Sequence, residues 1–342
     1  MVLKISVLDL APIVQDSSAA VALANTVPLA QAAEQLGYTR YWLAEHHNMF
    51  GIASSATSVV IGHVADNTTS IRVGSGGVML PNHAPLVIAE QFGTLASLYP
   101  DRIDLGLGRA PGTDQQTSFA LRRTLNSAVD TFPQDVRELQ YYLGSPQPNQ
   151  KVHAVPGSDT HVPIWILGSS LYGAQVAAMY GLPFGFASHF APAMMHEAIA
   201  IYRAKFRPSS QLDRPYVMLG YNVCAADSVA EANYLRSSGL QSFLRRHTGK
   251  PGQLPPPVHD FEANLDPTSR NMLKTARAAS ISGDNETVRN GMQQFVNETR
   301  ADELIIVCQI YEFEKRVRSY EIVAEVADRI ELAVDEEVEI NS

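Results

Sequence analysis

The chain has 342 residues, 45 % of them hydrophobic and 18 % charged, which is the composition of a globular protein with a large core. Its formal net charge of −9 argues against a nucleic-acid partner, because phosphate binding wants a basic footprint. The two cysteines, Cys224 and Cys308, are too far apart in sequence for a CxxC redox or zinc pair, and no apolar run reaches the ~18 residues of a membrane span. A soluble, cytoplasmic protein is expected.

Leu3–Leu8 alternates as a short strand, not as the apolar stretch of a leader. Val27–Leu36 has helical period and should stop at Gly37 in a left-handed conformation. Strand Thr39–Leu43, helix Ser54–Ala65, strand Ile71–Ser75 and helix Leu86–Leu98 follow. Strands Ile103–Leu107 and Ile164–Leu167 precede helix Leu171–Tyr180, then come strand Phe184–Ala187, helix Ala193–Phe206 and strand Tyr216–Ala225. Strand Glu303–Val307 and helix Glu314–Ile330 complete the series. Eight strands alternating with helices imply a parallel sheet covered on its outer face, and eight closes a barrel. The expected fold is therefore α/β, a (β/α)8 TIM barrel forming a single domain over residues 1–342.

About one repeat too much chain lies between Ser228 and Arg300. It contains Gly249–Pro257, Gly-Lys-Pro-Gly-Gln-Leu-Pro-Pro-Pro, which cannot be the interior of a helix or strand. This stretch reads as an insertion between the seventh and eighth strands, either a mobile flap near the barrel mouth or a plain solvent loop. The acidic end, Asp335–Glu339, is expected to be frayed. A dinucleotide-binding fold is the rival architecture, but the first strand runs into Asp9-Leu10-Ala11-Pro12 with no glycine. Gly106–Gly112 has the wrong spacing and follows the fourth strand.

Barrel chemistry sits where strands end. The second strand ends in Trp42-Leu43-Ala44-Glu45-His46-His47, whose adjacent histidines point apart and make no metal pair. One of them could be a general acid or base, or a structural hydrogen-bond partner. Gly74-Ser75-Gly76-Gly77 closes the third strand and marks either a β-bulge or a close approach to a ligand. Arg109, between glycines after the fourth strand, suits a phosphate or a surface salt bridge. Ser169 and Ser170 open a helix after the fifth strand, as an anion site or as simple capping residues. Together with Arg109 they could form two sides of one phosphate pocket.

In this order, the segments resemble the bacterial luciferase-like flavin monooxygenases. The telling pieces are Trp42–His47, Gly74–Pro81, Arg102–Arg109 and Ile166–Ser170, and the likeness runs from Leu8 to Glu321. It is nearer to an alkanal monooxygenase-like subgroup of unknown substrate than to luciferase itself. The resemblance implies FMN at the C-terminal mouth of the barrel, with deazaflavin as the alternative cofactor. It makes His46 the catalytic histidine and Arg109, with Ser169 and Ser170, the phosphate holder; Gly76–Gly77 becomes a cis peptide bond beneath the flavin ring. It also implies a homodimer through helices 54–65 and 86–98, with His47 and Glu90 meeting across the interface. Gly173 stands where luciferase has a phosphate-binding threonine, so anchoring would rest more on Arg109 and the serines.

Three functions are open. The first is a two-component monooxygenase that takes reduced FMN from a separate reductase and uses O2 on a small organic substrate, with His46 as acid/base group. A flavin- or deazaflavin-dependent reductase or dehydrogenase is the second, and a non-catalytic flavin-binding protein the third.

Overall fold

The computed structural model describes residues 2–110, 115–122 and 130–332. Pro111 and Gly112 of the arginine loop, and the acidic end at 335–339, lie outside the described residues. The strands are β1 (Lys4–Asp9), β2 (Arg40–Leu43), β3 (Arg72–Met79), β4 (Ile103–Gly108), β5 (Ile164–Gly168), β6 (Phe184–Phe186), β7 (Val217–Ala225), β8 (Ser280–Gly283) and β9 (Glu303–Val307). Strands β1 to β7 pair in sequence order, and β9 closes the ring between β7 and β1. Every pairing among these strands is parallel. The eight expected strands thus form the closed barrel. The ninth, β8, pairs only with Asn222–Ala225 of β7 and extends the mouth.

Around the ring lie α1 (Ala19–Ala24), α2 (Thr26–Gln35), α3 (Thr57–Asp66), α4 (Pro85–Leu98), α5 (Gln115–Arg122), α6 (Phe132–Leu143), α7 (Leu171–Tyr180), α8 (Met195–Lys205), α9 (Val229–His247), α10 (Pro267–Arg277), α11 (Asn285–Thr299) and α12 (Phe313–Ala327). Gly37, just past α2, has a φ of 78°, and Gly181 closes α7 at 63°, the left-handed stops that only glycine adopts without cost. Barrel strands carry apolar residues on both faces because one packs on the helices and the other on the barrel interior. The interior holds Leu8, Trp42, Trp165, Met218, Ile305 and Val307, the two indoles meeting edge to face at 5.1 Å. Arg40 lies among them, bonded to Asp104 at 2.8 Å and to Glu303 at 2.8 Å, 4.7 Å from the Trp165 ring. Such a buried cluster gives the cavity a rigid floor, since losing one partner leaves an unpaired buried charge.

The insertion between β7 and β9 has more regular structure than its Pro-rich centre suggests. It consists of α9, α10, β8 and α11, with Ser228 capping α9 through a 3.2 Å bond from the Glu231 N–H to its hydroxyl. The Gly249–Pro257 segment is tied down at Leu254, whose N–H donates to Ile13 O at 2.9 Å. In return, Gln15 N–H donates to Leu254 O at 2.7 Å. The Leu254 side chain is buried. The segment crosses the β1 loop as one extended rung, because that satisfies its backbone and its single large apolar side chain together. Among the described residues no helix is long and apolar enough to cross a membrane.

Candidate active site

At the mouth of the barrel a cavity of about 890 Å³ opens between the ends of the strands and α9. Its lining contains His46, Gly76, Gly77, Arg109, Ser169 and Ser170, so the fold brings all six candidates to one space. They come from four successive strand ends, which a closed parallel barrel places around a single rim.

Beyond β2 the chain turns, and Glu45 points inward, almost fully buried. Its Oε1 bonds the Nε2 atoms of His47 at 2.9 Å and His83 at 2.8 Å, while Met79 N–H donates to Oε2 at 3.2 Å. Burial alone would raise the pKa of this carboxyl, but the His83, His47 and Met79 contacts outweigh it and hold it below the usual range. The ligating atoms of Glu45, His47 and His83 lie within 4.8 Å of one another, and the hydrogen bonds between them account for that closeness. Within one chain, then, His47 is engaged by Glu45. Glu45 clamps the turn that carries His46 to the cavity wall, a role the sequence hides because acid and His83 are 38 residues apart.

The Gly76–Gly77 bond is cis, and the β3–β4 register shifts between Ser75 and Val78. The irregular-strand reading of this segment is what the backbone shows. Ser75 Oγ bridges the break, donating to Gly106 O at 2.8 Å and accepting from Gly106 N–H at 3.0 Å. A Cβ on Gly76 would lie 2.5 Å from Leu8 Cδ1, and one on Gly77 2.7 Å from Gly106 O. At Gly77 a side chain would strike backbone, whereas at Gly76 the Leu8 side chain would have to move aside.

Arg109 is half exposed, its Nε 3.0 Å from Asp130 Oδ2 and its guanidinium 4.4 Å from the Tyr172 ring centroid. Burial and then the hydrogen bond to Asp130 push the Tyr172 hydroxyl up to about 12. Asp130 is a partner that the sequence did not announce. It orients an arginine whose guanidinium carries five donors in all. On the neighbouring strand end, on the same side of the cavity as Arg109, Ser170 stands at the N-cap of α7 and makes no capping bond with its side chain. At Gly173 a Cβ would meet Gly168 Cα at 3.4 Å and Phe184 Cε2 at 3.5 Å.

His189, in the wall segment after β6, completes the cavity. A Cβ on Gly220 would fall 2.0 Å from its Nδ1, so the glycine makes room for the ring, and Asn222 Nδ2 holds its carbonyl at 2.7 Å. Burial, then the charges of Arg246 and His46, push its pKa down to about 4. Both histidines line the cavity, and burial favours the neutral imidazole at His189.

The family profile described as luciferase-like monooxygenase matches residues 3–303. The chain belongs to that family. It is 51 % identical over 325 residues to a luciferase-like monooxygenase of Escherichia coli K12, covering 95 % of this chain and 97 % of the relative. The structure of apo-MsnO8 superposes with a TM-score of 0.85 at 32 % identity, over 97 % of this chain and all of the other. The oxygenating constituent of 3,6-diketocamphane monooxygenase from Pseudomonas putida, solved in complex with FMN, shares the fold at a TM-score of 0.72. At 16 % identity, over 98 % of this chain and all of the other, that likeness shows architecture alone.

Proposed function

We propose that this chain is the oxygenating component of a two-component system. It takes reduced FMN from a separate reductase and uses O2 to oxidise a small organic substrate. The observation that carries the proposal is the convergence of His46, the Gly76–Gly77 platform and an Arg109–Ser169–Ser170 anion pocket on one cavity. The residues fit FMN: a helix N-terminus without a side-chain cap lies beside an arginine for the phosphate, and two adjacent glycines present bare backbone to the cavity. No nicotinamide-binding motif occurs in the sequence, which supports an external source of electrons.

Bound reduced flavin would supply two electrons to O2, one oxygen atom going to the substrate and the other to water. Arg109 and the first N–H groups of α7 would hold the phosphate. His46, on a turn clamped by Glu45, would give and take the proton that the flavin chemistry requires. His189 stays neutral opposite it and does not compete as an acid. Leu10, Phe190 and Phe243 line the space with apolar surface that excludes water from the reacting centre. Two subunits pair through α3 and α4, whose Val59 and Val87 are exposed in the single chain.

Replacing His46 by alanine should leave FMN affinity within about threefold and slow substrate oxidation by roughly 10²–10⁴-fold, the usual contribution of a general acid or base. Stopped-flow absorbance after mixing the FMN-reduced protein with O2, with product quantified in parallel, reads this. Unchanged product yield in His46→Ala would sink the role of His46. Substrate turnover without O2 consumption, or turnover with a deazaflavin alone, would replace the oxygenase by a reductase or dehydrogenase.

A further inference from the structure

We propose that the substrate is an anion, a carboxylate or sulfonate, and that Arg246 on α9 binds its acidic group. This rests on the cavity being the active site.

The chain carries 35 acidic and 26 basic residues, yet the described cavity lining includes Arg109, Arg236 and Arg246 and no aspartate or glutamate. That inversion of the overall charge is local. Arg109 has Asp130 beside it. Arg246 differs: its Nε is buried with no hydrogen-bond partner among the described residues, and its guanidinium lies 5.7 Å from the Phe190 ring centroid. Burial lowers its pKa. The charge of Arg246 in turn helps keep His189 neutral, so that imidazole supplies no counter-charge.

A half-buried guanidinium with a dry, unbonded Nε carries a desolvation cost, and an anionic ligand removes it. The competing explanation is a cation placed at the C-terminus of α9 to oppose the helix dipole, as Arg245 and His247 in the same turn do. That role leaves the whole head group to water, whereas Arg246 is half-buried, its Nε shut away from solvent and its side chain on the cavity wall. Helix geometry separates the two arginines of α9. Arg236, Gly239, Phe243 and Arg246 line the cavity along one face of α9, and ten residues of helix set Arg236 about 15 Å from Arg246 along the axis. Only Arg246 is at the end shared with His46 and His189. An acidic group held there fixes one end of the substrate and leaves the remainder to the apolar wall of Phe190 and Phe243.

Calorimetric titration of the protein, saturated with oxidised FMN, with hexanoate, hexane-1-sulfonate and hexanamide tests this. FMN fills the phosphate end first, and its own affinity is recorded in every sample. The two anions should bind at least about tenfold more tightly than the amide. Arg246→Met should abolish that preference, and Arg246→Lys should keep part of it, with thermal unfolding confirming that both variants fold. Equal or undetectable binding of the anions overturns the proposal. So does a preference that survives Arg246→Met but disappears in Arg109→Met, which would put the anion at the phosphate end. If FMN itself does not bind, the flavin reading fails separately, and the same titrations on the FMN-free protein still decide the role of Arg246.

Discussion

His189 stays neutral across the range in which an exposed histidine titrates, and this ties the site to stability. Its pKa is about 4 in the folded chain against an unfolded value of about 6.5. Between those values the unfolded state binds the extra proton, so stability is complete above about pH 6.5 and declines as pH falls toward 4. The shift is worth up to about 3 kcal/mol. Urea unfolding at a series of pH values should show this slope, and His189→Asn should flatten it; parallel curves for the two proteins would refute the assignment. Gly77 makes a second prediction at this scale. In Gly77→Ala the new methyl would press on Gly106 O and Leu167 Cδ1, each 2.7 Å away, with an overpacking cost of about 1–3 kcal/mol. Both denaturation and FMN titration should register it, the latter as weakened binding; unaltered FMN affinity would remove the glycine pair from the flavin platform.

Among the elements, α9 and the Pro-rich segment behind it shape the cavity more than their composition suggests. The helix presents four lining side chains at Arg236, Leu240, Phe243 and Arg246, and the segment then returns to the β1 loop through Leu254. Replacing Leu254 by aspartate places a charge where an apolar side chain is 4 % exposed and should cost about 2–4 kcal/mol. Limited proteolysis should then cut near residues 249–257 well before the rest of the chain. Cleavage at the wild-type rate would mean that Leu254 does not hold the segment.

For the whole molecule, the proposed dimer through α3 and α4 would cover Val59 and Val87, which are 71 % and 44 % exposed in the single chain, as several apolar side chains elsewhere on the surface also are. Val59→Asp should shift the sedimentation-equilibrium mass from dimer toward monomer at micromolar concentration. A wild-type protein that is monomeric throughout would exclude this interface. The barrel was legible because strands buried on both faces leave apolar runs at regular intervals, and helices Val27–Leu36 and Leu171–Tyr180 carry glycine stops. Less legible was the end of β3, which runs four residues beyond Ser75 because the Ser75 hydroxyl carries the pairing across the break. The helices α9 to α11 were hidden behind one proline-rich stretch.

His46, Gly76, Gly77, Arg109, Ser169 and Ser170 could be proposed from sequence because each follows a strand, where a barrel turns residues toward its mouth, and because the family resemblance chose among the readings that the strand ends left open. Glu45 with His83, Asp130 with Arg109, and His189 against Gly220 could not. Their partners are remote in the chain, and only closure of the barrel brings them within hydrogen-bond or contact distance. Local pattern therefore determined the architecture and which strand ends line the cavity. Tertiary packing decided which groups are buried, and burial favours the neutral form of His189 and leaves the Nε of Arg246 without a partner among the described residues, because the cost of desolvation depends on the whole surroundings and on no single segment.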